Sequence, residues 1–139
     1  MAGEPGPLDV DVIVYVDHSD IHEGRLEELE DGVRRVVGVI ETLEPRLIAY
    51  GFHLDAASGR MTVTAVHPDS ASLELHLEIG REQFRSLADL ITLTGIEVYG
   101  SISDRAREML EQKATMLGGS GVEVHERFAG FARKTGTWD

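Results

Sequence analysis

Six apolar residues, Leu26, Leu29, Val33, Val36, Ile40 and Leu43, recur at intervals of 3, 4, 3, 4 and 3. That alternation is the period of an α-helix with one apolar stripe, and such a stripe needs an apolar surface to lie on. A strand just before it supplies one. Asp11 to Asp17 (DVIVYVD) is a β-branched and aromatic run of strand length, with Val10, Val12, Val14 and Val16 on one face and Ile13 and Tyr15 on the other. Both faces read as partly buried, as in a sheet covered on each side. Asp20 followed by Glu23 predicts a capping box at the helix start, and Pro45 predicts its end. Gly32 and Gly38 inside the stripe favour a helix packed on a sheet over a coiled coil.

Further along, Arg46 to Asp55 and Arg60 to His67 predict two strands joined by the hairpin loop Ala56-Ala57-Ser58-Gly59. Asp69 or Ser70 caps a short helix expected to reach about Leu77, with Gly80 interrupting it and Glu82 to Leu90 adding a further turn or two. Residues 92–102 predict a fourth strand. The order βαββαβ is ferredoxin-like and the class is α+β. Ser101 with Asp104 then predicts a second capping box, opening a helix to Leu117 that Gly118-Gly119-Ser120-Gly121 stops. Val122 to Phe128 reads as a fifth strand and Gly130 to Asp139 as a tail. The expected organisation is a flexible lead over 1–9, a ferredoxin-like core over 10–103, and a helix, strand and tail extension over 104–139. Helices on one face of a small sheet leave the other face and the edges bare. A homodimer in which two such sheets close into a barrel is therefore expected.

Charge and composition remove several functions. The 139 residues carry 25 acidic and 13 basic side chains, a formal charge of −12. Residues 1–100 hold 19 acids and 7 bases while 101–139 hold 6 of each, so the excess belongs to the core. Without basic clusters, nucleic acid is excluded as a partner and an anionic membrane surface is disfavoured. No apolar run approaches the length of a membrane span. The opening Met-Ala-Gly-Glu-Pro-Gly-Pro lacks the pattern of a signal peptide, so a cytoplasmic location is expected. The chain contains no cysteine, which excludes disulfides, thiolate nucleophiles, Fe–S clusters and cysteine zinc sites. It also contains no asparagine.

Familiar catalytic patterns fail. His22-Glu23 and His125-Glu126 lack the second histidine four residues on that a zincin needs. The glycine-rich run after Leu117 follows a helix and precedes a strand, the wrong order for a phosphate cradle. His18 and His22, with Asp17, Asp20 and Glu23 nearby, offer imidazole and carboxylate ligands. A helix capped at Asp20 would separate the two histidines, however, so no metal is assigned.

The segment His67-Pro68-Asp69-Ser70-Ala71-Ser72-Leu73-Glu74-Leu75-His76 ends a strand, caps a helix and presents a histidine further on. Together with the opening strand, the Ile21-His22-Glu23-Gly24-Arg25-Leu26-Glu27-Glu28-Leu29 passage and Glu44-Pro45-Arg46-Leu47-Ile48-Ala49-Tyr50, it resembles the antibiotic biosynthesis monooxygenase-like family over about residues 10–103. The resemblance implies a ferredoxin-like subunit in a dimeric α/β barrel. It implies oxidation of aromatic, quinol-like substrates by dioxygen without a cofactor, or haem degradation in a related branch, through an Asn, a Trp and a His. His76 stands at the histidine position and is the catalytic candidate. His67 occupies the place of the Trp, and the Asn has no counterpart.

The residues themselves suggest a pocket. Tyr15, Tyr50, Phe52, His53, His67, His76 and Tyr99 come from three strands and a neighbouring helix and are expected to include a cleft for a small apolar or aromatic molecule. His67, His53, Tyr15 and Tyr50 are the binding candidates, and an imidazole beside a phenol is suited to removing its proton. Two readings stand. One is an oxygenase-like enzyme with His76 as base; the other is a non-catalytic small-ligand or interaction module on the same barrel, favoured by the missing Asn and Trp.

Overall fold

The computed structural model describes residues 12–119 and 121–133, so the expected lead over 1–9 and the tail beyond residue 133 lie outside the described residues. The elements run β1 (Ile13–Ile21), α1 (Leu26–Leu43), β2 (Ala49–Asp55), β3 (Arg60–His67), α2 (Ser70–Arg85), β4 (Ile91–Tyr99), α3 (Asp104–Met116) and β5 (Val122–His125). They build one sheet in the order β2-β3-β1-β4-β5, antiparallel except for the parallel β4–β5 pair. The first six elements are the expected ferredoxin-like βαββαβ arrangement. After them, α3 and β5 add a helix and an edge strand.

The helical stripe behaves as its spacing requires: Leu29, Val33, Val36 and Ile40 are buried against the sheet. Its expected start is corrected. Strand β1 continues past Asp17 to Ile21, so Asp20 and Glu23 make no capping box; α1 begins at Leu26 after Arg25, which caps nothing with its side chain. Polar Asp17 and Ser19 extend the alternation of Ile13 and Tyr15, and all four are buried. Glu27 and Glu28 lie in the first turn, where the helix dipole favours them.

Helix α2 is also longer than expected. It runs unbroken through Gly80, capped by the Asp69 carboxylate accepting from Ser72 N at 2.9 Å. Gly80 is there because the Phe84 ring covers it: a Cβ would lie 2.7 Å from Phe84 Cε2 and nearer still to Cζ. Helix α3 is capped by Ser103, which accepts from Ala106 N at 3.0 Å, rather than by Ser101. Strand β5 is shorter than expected, ending at His125, and β2 starts at Ala49 rather than Arg46.

Register places the side chains in rows. On the helix-covered face, Tyr50, Ala65, Tyr15 and Val98 form one row and Phe52, Val63, Asp17 and Ile96 the next. On the opposite face Ala49, Val66, Val14, Tyr99 and His125 align, followed by Gly51, Thr64, Val16, Glu97 and Glu123. Burial on both faces is not what is found within one chain. All three helices bury their stripes on the first face, while Val14 is 37% and Tyr99 41% exposed on the second.

Candidate functional site

Between the helices and the first face the core is interrupted by ionisable side chains. Tyr15 and Asp17 rise from β1, His67 ends β3, His76 lies on α2, Glu44 caps the end of α1 and Lys113 descends from α3; all six are buried. The Tyr15 hydroxyl donates to Asp17 Oδ2. Lys113 Nζ donates to the Tyr15 hydroxyl at 2.9 Å and to Asp17 Oδ2 at 3.3 Å, and lies 3.9 Å from the centre of the Phe84 ring. Lys113 is 7% exposed, and burial lowers its pKa although the Asp17 charge opposes the shift. Burial first, then the Asp17 charge, raises that of Tyr15.

A second cluster adjoins the first. His76 Nδ1 lies 2.9 and 3.0 Å from the two Glu44 carboxylate oxygens, so its N–H donates and the carboxylate accepts. Burial pushes Glu44 up to about 7 and His76 down to about 3, so the imidazole is neutral at physiological pH. The His76 ring meets Tyr50 edge-on at 5.1 Å, His67 at 5.3 Å and Phe84 at 5.4 Å. His67 Nδ1 pairs with Ser72 Oγ at 3.0 Å, and burial, aided by His76, lowers its pKa to about 3. Burial also raises the pKa of Tyr50.

Among the described residues, three buried side-chain polar atoms have no hydrogen-bond partner within the protein: Asp17 Oδ1, Ser19 Oγ and His67 Nε2. Asp17 and Ser19 line a cavity of about 20 Å³ walled by Tyr50, Phe52, Phe84 and Lys113. Two larger grooves reach these clusters from outside. One, of about 730 Å³ between α2 and α3, includes Phe84 and Lys113 in its wall. The other, of about 370 Å³ between the end of α1 and β2, includes Glu44 and Tyr50.

Four of the five sequence candidates, His76, His67, Tyr15 and Tyr50, therefore share one interior. His53 does not. It is exposed on the opposite sheet face, 3.2 Å from Thr64 Oγ1, because odd-numbered positions of β2 face away from the helices. Tyr99 is on that face too, stacked on His125 at 4.9 Å. His18 and His22 are likewise apart. His18 pairs with Thr62 on the sheet, whereas His22 holds the Asp89 carbonyl and Thr92 at 2.8 and 2.7 Å. Asp17, Ser19, Glu44 and Lys113 were missed as site residues. Lys113 carried a signal, since it sits at helical spacing with Ala106, Leu110 and Leu117 on the apolar stripe of α3.

No protein-family profile and no curated protein matches the chain in sequence. Solved structures do match it in fold. MupZ from Pseudomonas fluorescens superposes with a TM-score of 0.68 at 18% identity, covering 89% of this chain and 96% of its own. A putative antibiotic biosynthesis monooxygenase from Caulobacter crescentus gives 0.59 at 13% identity over 68% of this chain and 92% of its own. SnoaB from Streptomyces nogalater, a cofactor-independent oxygenase, gives 0.56 at 16% over 67% and 95%. The chain has the fold of the antibiotic biosynthesis monooxygenase-like proteins.

Proposed function

We propose that the protein is an enzyme of the cofactor-independent oxygenase type, acting on a small aromatic, quinol-like substrate in the interior between sheet and helices. The observation that carries this is the burial of six ionisable side chains in one apolar compartment. A core of this size is more stable without them, because each buried charge or unpaired polar group costs free energy, and such concentrations mark sites of chemistry. Within the site His76 is the base. Its Nδ1–H is tied to Glu44, which fixes the ring and leaves Nε2 as the proton acceptor. When ionised, Glu44 stabilises the imidazolium that forms.

Removing a phenolic proton of the substrate leaves an electron-rich anion that reacts with dioxygen at a ring C–H. The ring loses its O–H and C–H hydrogens and gains a second carbonyl oxygen, the other oxygen atom leaves as water, and the substrate supplies all four electrons. That SnoaB, a cofactor-independent oxygenase, shares the fold supports this reading. The bare sheet face, with Val14, Val16, Val66 and Ala49, supports a homodimer closed through that face.

Oxygen uptake with a panel of quinols and polyphenols tests the enzyme. Uptake that falls about 100-fold or more in His76→Ala is expected. No uptake with any of them, or an unchanged rate in the variant, rejects it. The alternative, a non-catalytic binding module on the same barrel, is favoured by one observation: side chains fill most of the interior, leaving about 20 Å³ beside Asp17. Ligand binding without turnover would select it.

A further inference from the structure

Strand β5 is an edge of the sheet and lies outside the six-element ferredoxin-like core. Its parallel register sets Glu123 beside Glu97 and His125 beside Tyr99, and all four stand on the face that the helices leave bare. A backbone bond fixes the end of that register, with Gly100 N donating to the His125 carbonyl at 2.8 Å. Glu97, Glu123 and His125 thereby bring two carboxylate oxygens and one imidazole nitrogen within 4.8 Å of one another.

Like charges on neighbouring strands repel, so two carboxylates set side by side call for a cation near them. Among the described residues, no arginine or lysine forms an ion pair with either one; their partners are imidazoles. His18 Nε2 lies 3.6 Å from Glu97 Oε1, and His125 Nε2 lies 3.4 Å from Glu123 Oε1. An imidazole carries charge only when protonated, and a neutral one offers a lone pair to a metal instead.

The donor groups are also held in place. The Tyr99 ring stacks on His125, with centres 4.9 Å apart and planes 19° from parallel, and its hydroxyl donates to Glu97 Oε2 at 3.3 Å. From β1, His18 supports Glu97 while its own Nδ1 lies 3.1 Å from Thr62 Oγ1. Outer contacts of this kind orient imidazole and carboxylate ligands at metal centres. Charges that merely keep a sheet edge in water need no such support. Two oxygens with one nitrogen suit zinc and similar ions, whereas magnesium and calcium favour oxygen alone.

The geometry points to a site for a zinc-type divalent cation formed by Glu97, Glu123 and His125, with Tyr99 as a positioning residue. Three protein ligands leave a further coordination position for water. The site depends on the added strand β5 and requires neither the oxygenase chemistry nor the homodimer.

Calorimetric titration of the metal-free full chain with zinc chloride, and separately with magnesium chloride, tests it. One zinc per chain is expected, with magnesium bound much more weakly. His125→Ala, at an exposed strand position, should weaken zinc at least tenfold, and Tyr99→Phe, which keeps the stacking and loses the hydroxyl, by about tenfold. Metal-free Tyr99→Phe should melt with wild type. His53→Ala removes an exposed imidazole elsewhere on the same face and should leave zinc affinity unchanged. Zinc should raise the melting temperature of wild type and not that of His125→Ala. No zinc binding, equal binding of zinc and magnesium, an unaffected His125→Ala, or an equal loss in His53→Ala would each overturn the site. An unaffected Tyr99→Phe would overturn the positioning role.

Discussion

Lys113 and Asp17 meet 96 positions apart in sequence, with Nζ 3.3 Å from Oδ2, in an interior where neither side chain is more than 7% exposed. A buried ion pair is weak evidence for stability, because desolvation offsets the attraction. Breaking one is another matter, since the charge left behind has no water.

Lys113→Met should therefore destabilise the chain by about 3–5 kcal/mol. The double variant with Asp17→Asn should recover more than half of that loss. Urea midpoints for both variants check it. A single-variant loss below about 1 kcal/mol would show that Asp17 draws no support from the lysine.

Acid should unfold the protein through its histidines. His67 and His76 sit at about 3 in the fold against 6.5 when unfolded, so between those values the unfolded chain binds more protons and stability falls as pH drops. Glu44 works the other way. Raised from 4.5 to about 7, it favours the fold as pH falls across that window. Two histidines against one carboxyl leave a net loss of about 1.4 kcal/mol per pH unit between about 6.5 and 4.5. Below about 4.5, where Glu44 no longer offsets them, the fall should be about twice as steep. Denaturant midpoints across this range measure the slope. His67→Phe should flatten it, and a stability independent of pH would refute the assignment.

Two helical glycines should respond with opposite signs. Gly38 is exposed on α1 with open space where a Cβ would go, so Gly38→Ala should stabilise by about 0.5–1 kcal/mol. Gly80→Ala has the same propensity gain but drives a methyl into the buried Phe84 ring, and should destabilise by about 1–3 kcal/mol. Thermal melts of the pair decide it. A more stable Gly80→Ala would mean that the ring moves aside freely.

The bare sheet face gives a fourth expectation. Light scattering at micromolar concentration should report twice the chain mass, and Val14→Lys, at the centre of the first row, should return the monomer without unfolding it. A monomer in the parent protein would remove the barrel.

The sequence made the fold legible where periodicity was strong. Alternation at 3 and 4 places located α1, and the β-branched runs located β1 and β3, because burial of a continuous face demands those periods. It misled at boundaries. Asp20 and Glu23 have the chemistry of a cap, yet β1 runs on through Asp20 to Ile21, which pairs with Ile91 in β4 beyond a register shift at His18/Ser19. Gly80 has the chemistry of a break, yet it leaves room for the Phe84 ring one helical turn on, in a helix that runs unbroken to Arg85. The site was half legible. His76 and His67 were singled out through the family resemblance and lie in the buried interior, whereas Asp17 and Lys113 come together only by pairing across 96 positions. His53 was misplaced because a period of two sends alternate residues of β2 to opposite faces.

The contact that completes the interior also sets an order of events in synthesis. Asp17 emerges early from the ribosome and its cation much later, so the nascent ferredoxin-like portion carries an uncompensated carboxylate until α3 is made. Long-range closure of this kind is slow compared with helix formation. A ribosome-bound intermediate ending before α3 should thus be loosely packed around β1, and the chain should lock into its final interior as one of its last steps.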